Sequence, residues 1–98
     1  MLHPDAIDAI CHGTHGDPFG ALGLHTDADG VHWLRAFLPG AATVRVTGPD
    51  GRLLLPAMAQ RHAAGFFEGR AEPGTPREAL ADHRFDVTWA DGRHGTYN

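Results

Sequence analysis

Eight histidines, twelve carboxylates and a single cysteine are the side chains of this 98-residue sequence that metal binding or acid–base catalysis would need. The histidines crowd nearest one another early, at His12, His15 and His25, with Asp17 among them. Two histidines three apart share a face of a helix, but Gly13 and Gly16 oppose a regular helix there, and the spacing matches no zinc pattern. These side chains are expected to hydrogen-bond a loop together, and no metal is expected. Paired carboxylates would suit glycoside hydrolysis, which needs two of them flanking the bond. Asp17, Asp27, Asp29, Asp50 and Asp91 stand in turn contexts instead, where a short acidic side chain bonds nearby backbone N–H groups. Glu68 lies in a strand beside Phe67, with no second carboxylate placed by the pattern.

The usual nucleophiles are missing. All eight basic residues are Arg, and the sequence holds neither Lys nor Ser. That removes a Schiff-base lysine, a serine nucleophile and the Lys-[Ser/Thr] ending of a phosphate loop. Cys11 stands alone, so no intrachain disulfide and no Cys-x-x-Cys motif exists. The glycines at 13, 16, 20 and 23 do not form Gly-x-Gly-x-x-Gly. A net charge of −4 argues against a nucleic-acid footprint, which requires a basic face. No catalytic residue and no cofactor are expected. No run approaches the length needed to span a bilayer, and the first residues lack the basic and apolar regions of a signal peptide. A cytoplasmic protein with no membrane contact is the expectation.

Aromatic residues are the stronger binding candidates. Residues 31–38 form the best strand, with Val31, Trp33, Arg35 and Phe37 on one face and His32, Leu34, Ala36 and Leu38 on the other. Both faces are largely apolar, so one belongs to the core and the other needs a cover. Leu34 and Ala36 belong to the more aliphatic face and are assigned to the core. Trp33, Arg35 and Phe37 then make an apolar patch with a planar donor at its centre, suited either to packing against a domain or to stacking on a sugar. Domain packing is the commoner use.

The elements that would position this patch are short. In residues 4–12, Ile7, Ile10 and Cys11 make one helical stripe, Pro4 and Asp5 suit a first turn, and Gly13 suits a stop. Two turns do not persist unpacked, so this helix must lie on the rest of the domain or on a partner. Residues 19–25 read as an irregular extended segment, and residues 27–30 and 49–51 as turns. Val44 and Val46 fall on one strand face, and a short strand follows at 52–55. Residues 57–65 read as a loop or an irregular strand, 66–70 as a strand, and 72–76 as a loop leading into a helical turn. Phe85, Val87 and Trp89 alternate against Arg84, Asp86 and Thr88, and a last strand covers 93–97. The pattern predicts an all-β, immunoglobulin-like antiparallel β-sandwich of about seven strands with a short N-terminal helix. The division expected is a helix over 1–13 packed on a sandwich over 14–98.

Four stretches resemble one family. His15-Gly16-Asp17-Pro18-Phe19, continuing to Leu22-Gly23-Leu24-His25, resembles the His-x-Asp-Pro-Phe-x-x-Leu-Gly-x-His signature near the start of bacterial glycogen branching enzymes. Arg35-Ala36-Phe37-Leu38-Pro39-Gly40-Ala41, Gly65-Phe66-Phe67-Glu68-Gly69 and Phe85-x-Val87-Thr88-Trp89 with Asp91-Gly92 are similar to that family's later stretches, in the same order. The resemblance implies the first N-terminal domain of a 1,4-α-glucan branching enzyme. Family members continue into a second sandwich, a (β/α)₈ catalytic barrel and a C-terminal β domain. The barrel, with its Asp nucleophile and Glu acid/base, converts α-1,4 chains to α-1,6 branches. None of those catalytic motifs is present, and the chain stops at Asn98, where the family continues into Asp-Pro-Tyr, as in a domain cut at its boundary. Partners implied are the sister sandwich, the barrel and an α-glucan chain. The alternatives are a glucan-binding module in its own right with Trp33 and Phe37 as its platform, a purely structural or oligomerisation domain, or the leading module of a related α-amylase-superfamily enzyme. Structural roles are expected for the signature: Asp17-Pro18 sets a turn, Phe19 and Leu22 anchor it, Gly23 permits close chain approach, and His15 and His25 bond loop backbone.

Overall fold

Short apolar runs separated by turn residues can each bury only a few side chains, so the chain stacks them in layers. The computed structural model describes residues 2–13, 22–72 and 74–97. In chain order the elements are α1 (Pro4–Cys11), β1 (Gly23–Thr26), β2 (His32–Phe37), β3 (Ala41–Thr47), β4 (Leu53–Leu55), β5 (Ala59–His62), β6 (Phe66–Arg70), α2 (Arg77–Ala81), β7 (Arg84–Trp89) and β8 (His94–Tyr97). Eight strands stand among the described residues, against about seven expected. The added strand is β5, which pairs with β6 across an irregularity between Gln60 and His62. A bulge of that kind breaks the alternation by which a strand is read in sequence.

Every pairing is antiparallel, in two four-stranded sheets ordered β1-β2-β6-β5 and β4-β3-β7-β8. The sheets close on one core, to which the first sends Leu34, Ala36 and Phe67 and the second Val44, Val46, Phe85 and Val87. Leu34, Val46 and Val87 are wholly withdrawn from solvent, and α2 adds Leu80 to the same cluster. This is an all-β sandwich, with Leu34 and Ala36 facing inward as the alternation requires.

Helix α1 supplies a third layer. His3 caps it, its Nδ1 accepting the Asp5 N–H at 3.1 Å, and Pro4 and Asp5 occupy its first turn. Ile7 and Ile10 then meet Phe66 of β6 in a second apolar cluster, flanked by Leu2, Cys11, Leu22 and Phe37. The first sheet therefore carries a core on each face, which explains why both faces of β2 read as apolar.

The turn entering β6 depends on Gly65. Its φ is +113°, and a Cβ there would sit 2.6 Å from the Leu38 carbonyl oxygen. The Leu38 N–H donates to the Gly65 carbonyl at 2.8 Å, so the two backbones touch where β2 leaves its sheet. Only a residue without a side chain fits that approach.

Candidate functional site

The outer face of the first sheet is set by register. Trp33 lies between His25 of β1 and Arg70 of β6, Arg35 between Gly23 and Glu68, and Phe37 beside Phe66. Three different environments follow along one strand.

At the open end, the Trp33 indole N–H donates to Asp27 Oδ2 at 2.8 Å. The other oxygen of Asp27 accepts the N–H groups of Asp29 and Val31 at 2.9 and 3.0 Å, building the β1–β2 hairpin turn. The indole N–H foremost, and then the Val31 N–H, hold the Asp27 carboxyl below its ordinary value.

In the middle is a buried ionic cluster. Glu68 Oε2 accepts from Arg35 Nε and from the Leu2 N–H, both at 2.8 Å, while Oε1 pairs with Arg61. Arg61 also donates to the Leu2 carbonyl at 3.2 Å. The Glu68 side chain is 2% exposed, and those of Arg35 and Arg61 are 11% and 18% exposed. Burial pushes the Glu68 carboxyl up, but the Arg35 hydrogen bond, the Leu2 N–H and Arg61 together bring it below the ordinary range. The cluster thus ties Leu2, two positions ahead of α1, to the sheet beneath it. Asp8 of α1 and His62 of β5 add a contact at 3.2 Å.

At the far end, Phe37 packs with Phe66 against α1. Of the expected patch, Arg35 is therefore taken up by Glu68 and Phe37 lies under the chain's own helix, while Trp33 remains half-buried at the open end. The stripe of α1 lacked a partner in the sequence pattern, and it finds one in Phe66 of β6 and in Phe37 of the β2 row.

Of the signature residues, His15, Asp17, Pro18 and Phe19 lie outside the described residues. Leu22 packs at the edge of the helix cluster, and the His25 ring bonds the Leu22 carbonyl through Nε2 at 2.7 Å. At Gly23, nothing among the described residues lies within 4 Å of where a Cβ would be, and a φ of +87° itself calls for glycine.

Two features were not read from the sequence. Asp86, assigned to a polar strand face, is 9% exposed because Arg45 of β3 and His94 of β8 bond it from either side. Burial raises its carboxyl and the Arg45 and His94 hydrogen bonds bring it lower again, to a net value below normal. The second is a cleft of about 360 Å³ between Pro39-Gly40 and the β7–β8 hairpin. Its walls include Trp89 and Tyr97, whose rings meet edge to face at 6.0 Å and 79°. Both features depend on strand register, which no local pattern specifies. Among the described residues, no three His, Cys, Asp or Glu side chains gather as a metal site would require.

Residues 3–98 match the family described as the N-terminal domain of the alpha-1,4-glucan branching enzyme GlgB. The chain is 40% identical over 92 residues to the 1,4-alpha-glucan branching enzyme GlgB of Cupriavidus necator, covering 94% of this chain and 12% of that protein. Identity is also 40% over 92 residues to the enzyme of the same name from Rubrobacter xylanophilus, with the same coverage. It is 46% over 68 residues to that of a Bradyrhizobium species, covering 69% of this chain and 9% of that protein. The chain thus spans about an eighth of the length of the first of these relatives.

Proposed function

The chain belongs to the family of N-terminal domains of the α-1,4-glucan branching enzyme GlgB, and from that premise we propose that it is a non-catalytic accessory module of a longer, cytoplasmic branching enzyme of glycogen biosynthesis. In that enzyme it positions α-glucan chains and packs against the neighbouring sandwich and the catalytic barrel. The transferase chemistry, which breaks an α-1,4 bond and remakes it as an α-1,6 branch, resides in the barrel. The observation that carries the reading is how five of the twelve acidic side chains are engaged. Asp27, Asp50 and Asp91 accept backbone N–H groups of their own turns. Glu68 and Asp86 are held by arginines, and both carboxyls lie below their ordinary values. A general acid for glycoside chemistry needs the opposite shift, upward toward neutrality. In this reading Trp33, Arg35 and Phe37 serve packing, with Arg35 binding the sheet to the helix-bearing N-terminus.

Removing this domain from a full-length branching enzyme of the family tests the proposal. The expected result is an altered length distribution of transferred chains with branching activity retained. An unchanged distribution overturns the positioning role.

A further inference from the structure

We propose that the cleft between Pro39-Gly40 and the β7–β8 hairpin, walled by Trp89 and Tyr97, is a binding subsite for a short stretch of neutral, curved α-1,4-glucan. The identity of the ligand rests on the function proposed above; the location rests on four observations. First, the two tryptophans are differently placed. The Trp33 indole N–H is given to Asp27, whereas among the described residues nothing accepts from that of Trp89. A half-buried indole that lines a cleft and whose donor is not taken up among the described residues can give it to an outside acceptor. Second, the Trp89 and Tyr97 rings stand at 79° to each other, two apolar walls meeting nearly at a right angle. A pyranose ring offers C–H faces that pack on an aromatic face and hydroxyls around its rim. In an α-1,4 chain successive rings turn relative to one another, so angled walls suit neighbouring units; a flat β-1,4 ribbon would want coplanar platforms.

Third, the rim is polar and balanced in charge. Arg93 donates from Nε to Asp91 Oδ2 at 2.7 Å, and Asp91 Oδ1 also accepts the Arg93 N–H, so one cation and one anion are fixed as a pair. Such a rim offers donors and acceptors to hydroxyls without favouring an anion or a cation. Fourth, the walls are held before any ligand arrives. The Tyr97 ring lies back over Gly95, where a Cβ would come within 2.6 Å of the hydroxyl. The hairpin is fixed by the Trp89 N–H on the Arg93 carbonyl at 2.8 Å and the Ala90 N–H on the Gly40 carbonyl at 2.9 Å. Its volume of about 360 Å³ lies within the range of small-ligand sites.

The test is a titration of the ¹⁵N-labelled 98-residue chain with maltoheptaose, and separately with cellohexaose, followed by amide and indole resonances. Maltoheptaose is expected to move the Trp89 indole and the backbone of residues 39–40 and 90–97, with cellohexaose weaker. Tyr97→Ala and Arg93→Ala, both altering exposed side chains, are expected to weaken binding by about fivefold or more with an otherwise unchanged spectrum. Trp89→Phe keeps an apolar ring at the core's edge while removing the indole donor and part of the aromatic wall, and is expected to weaken binding as well. Shifts centred on Trp33, or no shift at about 10 mM sugar, overturn the cleft. Equal response to cellohexaose overturns the preference for a curved chain. Self-association through the same residues, seen as sugar-independent and concentration-dependent shifts with no response to maltoheptaose, also overturns it. The wider accessory role is judged separately by the chain-length distribution of the truncated enzyme.

Discussion

Asp27 holds Trp33 with the same carboxylate that shapes the hairpin between them: one oxygen takes two backbone N–H groups, and the other takes the indole N–H at 2.8 Å. Asparagine has only one acceptor oxygen, so Asp27→Asn must place its NH₂ against either the turn or the indole. The expected outcome is a shifted Trp33 indole resonance with faster N–H exchange, and a lowered denaturation midpoint with the fold retained. An unmoved indole resonance would contradict the assignment.

Removing the charge of Glu68 leaves two poorly exposed arginines without their anion. Glu68→Gln is expected to lower unfolding free energy by about 3 kcal/mol, as for a broken buried ion pair. Arg61→Leu is expected to cost less, because Arg35 and the Leu2 N–H continue to satisfy the carboxylate. Urea denaturation of the two variants gives the comparison.

The direction of the Glu68 shift sets the pH dependence. Its folded carboxyl titrates below the unfolded value of about 4.3, so its stabilisation is complete above that value and is lost as pH falls through the lower folded one. Asp27, Asp86 and Asp91 shift in the same direction and act in the same window. Stability from these groups is therefore expected to hold above about pH 5 and to decline below it. In Glu68→Gln the acid decline should be shallower, which denaturant melts between about pH 3 and 6 would measure.

Ile7 is 2% exposed beneath an eight-residue helix that has no independent stability. Ile7→Ala is expected to cost about 2–4 kcal/mol. Hydrogen exchange should then accelerate in α1 before it does so in β3 and β7, which belong to the other core.

Gly65→Ala joins a left-handed backbone to a contact with the Leu38 carbonyl that no rotamer relieves. A loss of at least about 2 kcal/mol is expected. Gly51→Ala is the comparison, having positive φ but open space, and should cost less.

Periodicity made much of this fold legible. Val44 and Val46, Leu34 and Ala36, and Phe85 and Val87 recur at every second position because one face of each strand meets the shared core, and each pair lies in it. The strand β5 was ambiguous because its irregularity at Gln60–His62 interrupts that alternation. The functional surfaces were legible only in part. The row Trp33, Arg35, Phe37 was found from its spacing, but its ionic partner Glu68 is 33 residues away and meets Arg35 only through the β2–β6 register. The same holds for Arg45 and Asp86, 41 residues apart, and for the ring pair Trp89 and Tyr97. Turn chemistry and alternation are local, whereas cross-strand partners are chosen by the whole sheet.

The attachment of Leu2 to Glu68 reverses the order of synthesis. The two residues are separated by 66 positions, and the landing surface for Ile7 and Ile10 includes Phe66. A ribosome adding about 5–20 residues per second makes the helix roughly 3–13 s before the strand that receives it. During that interval α1 carries an apolar stripe whose partner strand has yet to be made. Closure of the third layer is thus a timing mark, reached only once β6 has been translated.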